Sequence, residues 1–280
     1  MSPKRDLFVF DIETVPDYDA GRRLLDLPDA PDDEVAEAMK AYHLEATGGR
    51  NDFLRQPFWR VVAISYVQCA VERADEAQTD GPGKLRYTLA RVGSGGTEKS
   101  DEKELIEGFY HYIDQRHPRL VSFNGRGFDL PVLKYRAMLH GISASGFFDA
   151  SNKWENYTQR YADAWHADLL ETLSDFGASA RVRLDEVCRT LGFPGKLGTD
   201  GGDVEGLFRD NRIAAIRDYC ETDVLNTYLV FLRWELLRGT ISPTAHDASV
   251  AEVAAYLASE RETRPHLGEF LDAWQAMGEV

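Results

Sequence analysis

The sequence is poor in the residues that build disulfide frameworks and zinc sites. Its three cysteines, Cys69, Cys188 and Cys220, are widely spaced and form no C-x-x-C pair. That excludes a disulfide scaffold or a zinc ribbon and fits buried thiols in a reducing compartment. The seven histidines show neither H-x-x-x-H nor H-E-x-x-H spacing, so zinc hydrolysis lacks its ligands. No apolar run approaches the roughly 20 residues of a membrane span. After the basic opening MSPKRDLFVF the apolar run stops at Asp11, too short for the core of a signal peptide, so a cytoplasmic protein is expected. Cations are also outnumbered, with 32 Lys and Arg against 47 Asp and Glu and a net charge of −15. Such a chain does not coat duplex DNA through its phosphates. It can still grip the end of a strand, where bound metal ions supply the positive charge.

What is present suits one large or two small globular domains: 280 residues, 43% of them hydrophobic. Residues 7–14 read as a buried strand, and 60–69 (RVVAISYVQC) and 85–92 (LRYTLARV) as a hairpin joined through a polar, Gly-Pro-containing stretch. Ser100 offers an N-cap for a helix to about Arg116. A short strand is expected at 120–123 and a helix from Pro131 to Gly141. Another short strand at 166–168 leads into helices near 169–176 and 184–191. A long helix runs over about 211–238, and two helical segments follow Pro243. An acidic insertion at 17–57, with a helical middle (DDEVAEAMKAYHLEA), is placed over the sheet edge. Residues 143–165 are irregular and aromatic. Strands followed mostly by helices imply a mixed α/β sheet with helices packed around it. The expected unit is 1–238, with 239–280 as a helical appendage of the same domain.

Several acids sit where solvation alone does not explain them. In FVFDIETVPD, Asp11 and Glu13 close a core strand, two apart and therefore on one face, with Ile12 opposite. No Lys or Arg occurs from residue 7 to residue 20 to neutralise them, and an unpaired carboxylate is costly to remove from water. In SFNGRGFDLPVLKYR, Asp129 precedes Leu130-Pro131 and reads as an N-cap, a role compatible with ligation because a carboxylate has two oxygens. In RDYCETDVLNTYLVFLRW, Ile216, Cys220, Val224, Thr227 and Phe231 trace a helical stripe, with Asp223 on or beside it. Tyr219 lies four residues before Asp223 on the same face, while Glu221 points away as a solvated acid. Asp11, Glu13, Asp129 and Asp223 form an all-oxygen set suited to Mg²⁺ or Mn²⁺. Two such ions about 3.5–4 Å apart support phosphodiester cleavage.

DIET, NGRGFD and YCETD resemble, in order and separation, the three exonuclease motifs of the DEDD superfamily of 3′–5′ exonucleases. The Y-x-x-x-D pattern of Tyr219 and Asp223 is that of the DEDDy branch; the sister branch has histidine where this chain has Asp218. With RVVAIS (60–65) and LDEVCRTLGFPGK (184–196), residues 6–238 most resemble stand-alone predicted exonucleases related to the proofreading domain of family B DNA polymerases. No motif is recognised in 17–57 or after Arg238.

The resemblance implies a ribonuclease H-like exonuclease fold, a mixed five-stranded sheet flanked by helices with the motifs meeting at one end. It implies that Asp11, Glu13, Asp129 and Asp223 hold two divalent cations, Mg²⁺ or Mn²⁺, with Asp11 bridging them, and that Tyr219 orients the attacking water. The implied reaction releases nucleoside 5′-monophosphates from 3′ ends, of single-stranded DNA before RNA, in repair or in proofreading in trans, alongside replication or repair proteins. Ile12, Thr14, Asn124 and Phe128 become candidate substrate contacts. Phe128 reads equally as core, and Trp59, Trp154 or Tyr157 are candidate stacking platforms. GKLGTDGGD (195–203) is no P-loop but resembles a glycine-rich loop of the same exonucleases, so Lys196 is a candidate phosphate contact. Asp168 reads as a helix cap or as an acid behind the ligands. Two alternatives stay open: an exoribonuclease of the ribonuclease D type, and a non-catalytic nucleic-acid-binding module on the same fold.

Overall fold

The computed structural model describes residues 4–74, 84–198 and 201–278. Among them five strands form one sheet: β1 (Asp6–Pro16), β2 (Trp59–Arg73), β3 (Leu85–Ser94), β4 (Arg119–Ser122) and β5 (His166–Asp168), in the order β3-β2-β1-β4-β5. β1 pairs antiparallel with β2 and parallel with β4; β2–β3 is antiparallel and β4–β5 parallel. The expected mixed five-stranded sheet is therefore present. The Gly-Pro link expected between β2 and β3 lies outside the described residues.

β1 is the central strand, and its alternation divides the core. Leu7 and Val9 face one layer, formed with the long helix α8 (Ile213–Leu237) and the C-terminal helices α9 (Pro243–Glu260) and α10 (Pro265–Ala276). Phe8, Phe10 and Ile12 face the other, formed with α3 (Glu102–Arg116) and α4 (Asp129–His140). The remaining helices are α1 (Tyr18–Leu25), α2 (Asp32–Ala46), α5 (Leu169–Leu173), α6 (Leu184–Thr190) and α7 (Val204–Arg209). α7 has no counterpart in the sequence reading.

Some expectations are corrected. Asp101, not Ser100, caps α3: its carboxylate accepts the Glu104 N–H at 2.9 Å while Glu104 returns to the Asp101 N–H, a reciprocal capping box. The insertion does not cover a sheet edge, which would be β3 or β5. α1 and α2 close a small core of Val35, Met39 and Leu54 against Tyr18, Leu25 and Phe58. Gln56 then donates to the Gly127 carbonyl, which places the insertion beside the second motif. Among the described residues no helix is long and apolar enough to cross a membrane.

Candidate active site

The parallel pairing of β1 with β4 covers only Leu7 to Val9, so β1 extends past its neighbour. Beyond that last pairing the Ile12 N–H is met by Asp129 Oδ1 at 3.2 Å. Asp129 is thus not the N-cap of α4. Phe128 holds that position, and Asp129 is the first helical residue, buried and turned toward β1. α4 ends at Gly141 in the left-handed region (φ 66°), where an L side chain would be strained.

Asp11 and Glu13 project together from β1 toward α8. Their carboxylate oxygens and the Cys220 sulfur lie within 4.8 Å of one another, and the Cys220 thiol donates to the Asp11 carbonyl and carboxylate at 3.6 and 3.7 Å. Burial first, then Asp129, Glu13 and Asp223, holds the Asp11 carboxyl well above the ordinary range. Glu13 is raised by burial, Asp223 and Asp129, with Lys196 opposing. Asp129 is pushed up to about 7, mainly by burial and with a contribution from Asp168. The sequence-predicted acids therefore meet, and burial together with their mutual repulsion raises Asp11, Glu13 and Asp129 above the ordinary carboxyl range. A pair of hard cations fits this donor set.

Tyr219 joins them from α8. Burial together with the charges of Asp223, Glu13 and Asp11 drives its pKa far above the ordinary phenol value. Asp218, one residue earlier, faces away and pairs with His266 at 3.1 Å. Lys196 arrives from the glycine-rich loop, its ammonium 5.6 Å from the Tyr219 ring centre. It lines, with Asp223 and Asn124, a cleft of about 480 Å³.

Asp168 is a helix cap, one of the two roles considered for it. It caps α5 through the Leu170 and Glu171 N–H groups and also accepts the N–H groups of Asn124 (2.9 Å) and Arg126 (2.8 Å). The second-motif loop is fixed by this carboxylate, with Asn124 in the left-handed region at φ 67°. Asn226 was missed by the sequence reading. Buried on α8 one turn after Asp223, it accepts the Gly195 N–H at 3.1 Å and donates to the Gly195 carbonyl at 2.9 Å, anchoring the loop that carries Lys196. Its signal was a polar side chain inside an apolar helix, which requires partners.

Other candidates fall elsewhere. The Ile12 side chain lies in the core, and its N–H is held by Asp129. Thr14 remains partly exposed. Phe128 is half-buried in an aromatic cluster with Phe53 and Trp59, ring centres 5.9 Å from each. Tyr157 is fully buried, its hydroxyl donating to the Pro118 carbonyl, so it is no stacking platform. Trp154 is exposed but does not line the cleft. Glu221 is not solvated: it is buried and accepts from Ser94 (2.8 Å), Arg264 and His266 (2.7 Å).

A family model described as a predicted 3′–5′ exonuclease related to the exonuclease domain of PolB matches residues 51–274. The chain belongs to this family. The match of this PolB-related exonuclease takes in Asp129, Lys196, Tyr219 and Asp223, and also the two C-terminal helices in which no motif was recognised. Asp11 and Glu13 precede it and are joined to the matched part by the contacts above. Among solved structures, the family B DNA polymerase from the hyperthermophilic archaeon Pyrobaculum calidifontis is 19% identical, with a TM-score of 0.48, over 94% of this chain and 30% of the polymerase chain. The chain thus spans about a third of the polymerase's length. No curated protein matches it.

Proposed function

We propose that the chain is a metal-dependent 3′–5′ exonuclease that removes nucleotides from single-stranded 3′ ends, DNA before RNA. The observation that carries this reading is the meeting of Asp11, Glu13 and Asp129 with the Tyr219–Asp223 pair at one end of the sheet. The relation to a polymerase exonuclease domain supports DNA as the substrate.

When bound, two divalent cations activate water and neutralise charge on the leaving oxygen. Asp11, Glu13, Asp129 and Asp223 would hold them. The side chains otherwise position and exclude. Burial and the charges of Asp223, Glu13 and Asp11 keep Tyr219 neutral, and its hydroxyl hydrogen-bonds the attacking water. It orients that water rather than deprotonating it. Lys196 is placed to meet a phosphate at the cleft wall. Water attacks phosphorus, the bond to the 3′ oxygen breaks, and a nucleoside 5′-monophosphate leaves.

Digestion of end-labelled oligonucleotides tests this reading, with Mg²⁺, Mn²⁺ or chelator and with single-stranded DNA, mismatched duplex DNA and RNA as substrates. Stepwise shortening of DNA from the 3′ end, abolished by chelator, is expected. Tight binding without nucleotide release in either metal would sink the reading in favour of a binding module.

A further inference from the structure

Two clefts flank the acids, and their charges differ. One, past Pro16 on β1, is lined by Asp33, Glu37, Asp52 and Glu205 against Lys40 and Arg209. The other presents Arg181, Arg183 and Lys196 against Asp185 and Asp223. In a chain of net charge −15, this local excess of cations sets the direction in which a phosphodiester backbone can leave the site. The basic cleft shares Phe123, Leu170 and Val182 with a neighbouring groove of about 560 Å³ between α5, α6 and α8. That groove is almost wholly apolar, walled by Leu173, Val182, Val187, Leu191, Trp234 and Leu237. Leu173, Val182 and Leu237 stand open to solvent at 37%, 43% and 78% exposure.

We infer that this groove is a nucleobase subsite: a strand with its 3′ end at the acids passes Arg181 and Arg183 and seats one of its preceding bases there. The inference rests on the exonuclease reading for its direction and on the continuity of the two cavities for its occupant. A base presents an apolar face and is linked to a phosphate, which matches an apolar groove opening onto a cationic rim. Stacking of this kind tolerates every base, so the subsite would favour unpaired strands without selecting sequence.

The test is an abasic scan. Single-stranded DNA carrying one abasic site at each of the last several positions is bound to Asp11→Asn protein and followed by fluorescence anisotropy. One internal position should weaken binding by about tenfold, and that penalty should vanish when Leu173→Asp and Leu237→Asp are added. Both positions are solvent-exposed, and the circular dichroism of the variant is checked against the parent. A penalty that persists in the variant, or no internal penalty at all, overturns the subsite; the second result leaves the groove to an apolar segment of another protein. If wild-type protein digests no oligonucleotide yet the penalty appears and vanishes as described, the subsite stands and the nuclease reading falls.

Discussion

The carboxylate of Asp129 accepts the backbone N–H of Ile12 at 3.2 Å, which fastens the acid of the second motif to the residue lying between the two acids of the first. A single hydrogen bond therefore fixes the spacing of three of the four proposed metal ligands. It also explains why Asp129 is the first residue of its helix and not the cap: its side chain is committed to the strand.

Replacing Asp11 or Asp223 by Asn should lower kcat/KM by at least about 10²-fold, the usual cost of removing one electrostatic partner of a transition state. The unfolding midpoint in chelator should hold or rise, because one member of a mutually repelling set is lost. Full activity in either variant would remove the metal assignment.

Tyr219→Phe keeps the ring beneath Lys196 and removes only the hydroxyl that the neighbouring acids hold neutral. A drop in kcat of about 10–10² is expected, with oligonucleotide affinity within a factor of a few, since an orienting group acts on the reacting water. A rise in KM at unchanged kcat would make the residue a binding group instead.

Asp129 titrates at about 7 in the folded protein without metal, against about 3.9 in an unfolded chain. Between those values the folded state holds a proton that the unfolded state has lost. Its contribution to stability is therefore full below about pH 4 and is lost as pH rises toward 7, by ~1.4 kcal/mol per pH unit. Chelator-treated protein should show a steeper loss of Tm between pH 5 and 7.5 than Asp129→Asn does. Mg²⁺ should restore more of that loss at the higher pH. Identical slopes for the two proteins would contradict the raised carboxyl.

Glu221→Ala should destabilise the fold by roughly 3 kcal/mol, the low end for breaking a buried ion pair, because Arg264 keeps part of its surface in water. Urea unfolding measures it. A change below about 0.5 kcal/mol, the scale of a surface substitution, would mean that the contacts to Ser94, Arg264 and His266 are incidental.

How much of the site is legible in the sequence depends on the range of the interaction. Strand parity places Asp11 and Glu13 together, and helical spacing places Tyr219 beside Asp223, because both are backbone geometry. Glu221 was misread because the apolar stripe of α8 defines only one face, whereas α9 and α10 cover the opposite one and leave the helix buried nearly all round. Lys196 and Asn226 reach the site through a pairing between a loop and a helix that no local period encodes. The anchoring role of Asn226 follows only from the fold, whereas Lys196 is singled out by the resemblance of its glycine-rich loop.

Cys220 adds a consequence for competing cations. Its sulfur stands with the Asp11 and Glu13 oxygens, and burial first, then the surrounding carboxylates, holds it firmly as the neutral thiol. Hard ions, which take oxygen, have little use for it. A soft ion such as Cd²⁺ prefers thiolate and finds one sulfur added to two oxygens, a donor set that favours tight capture over turnover. The pocket proposed for Mg²⁺ would thereby trap thiophilic metals, and Cys220→Ser would loosen it.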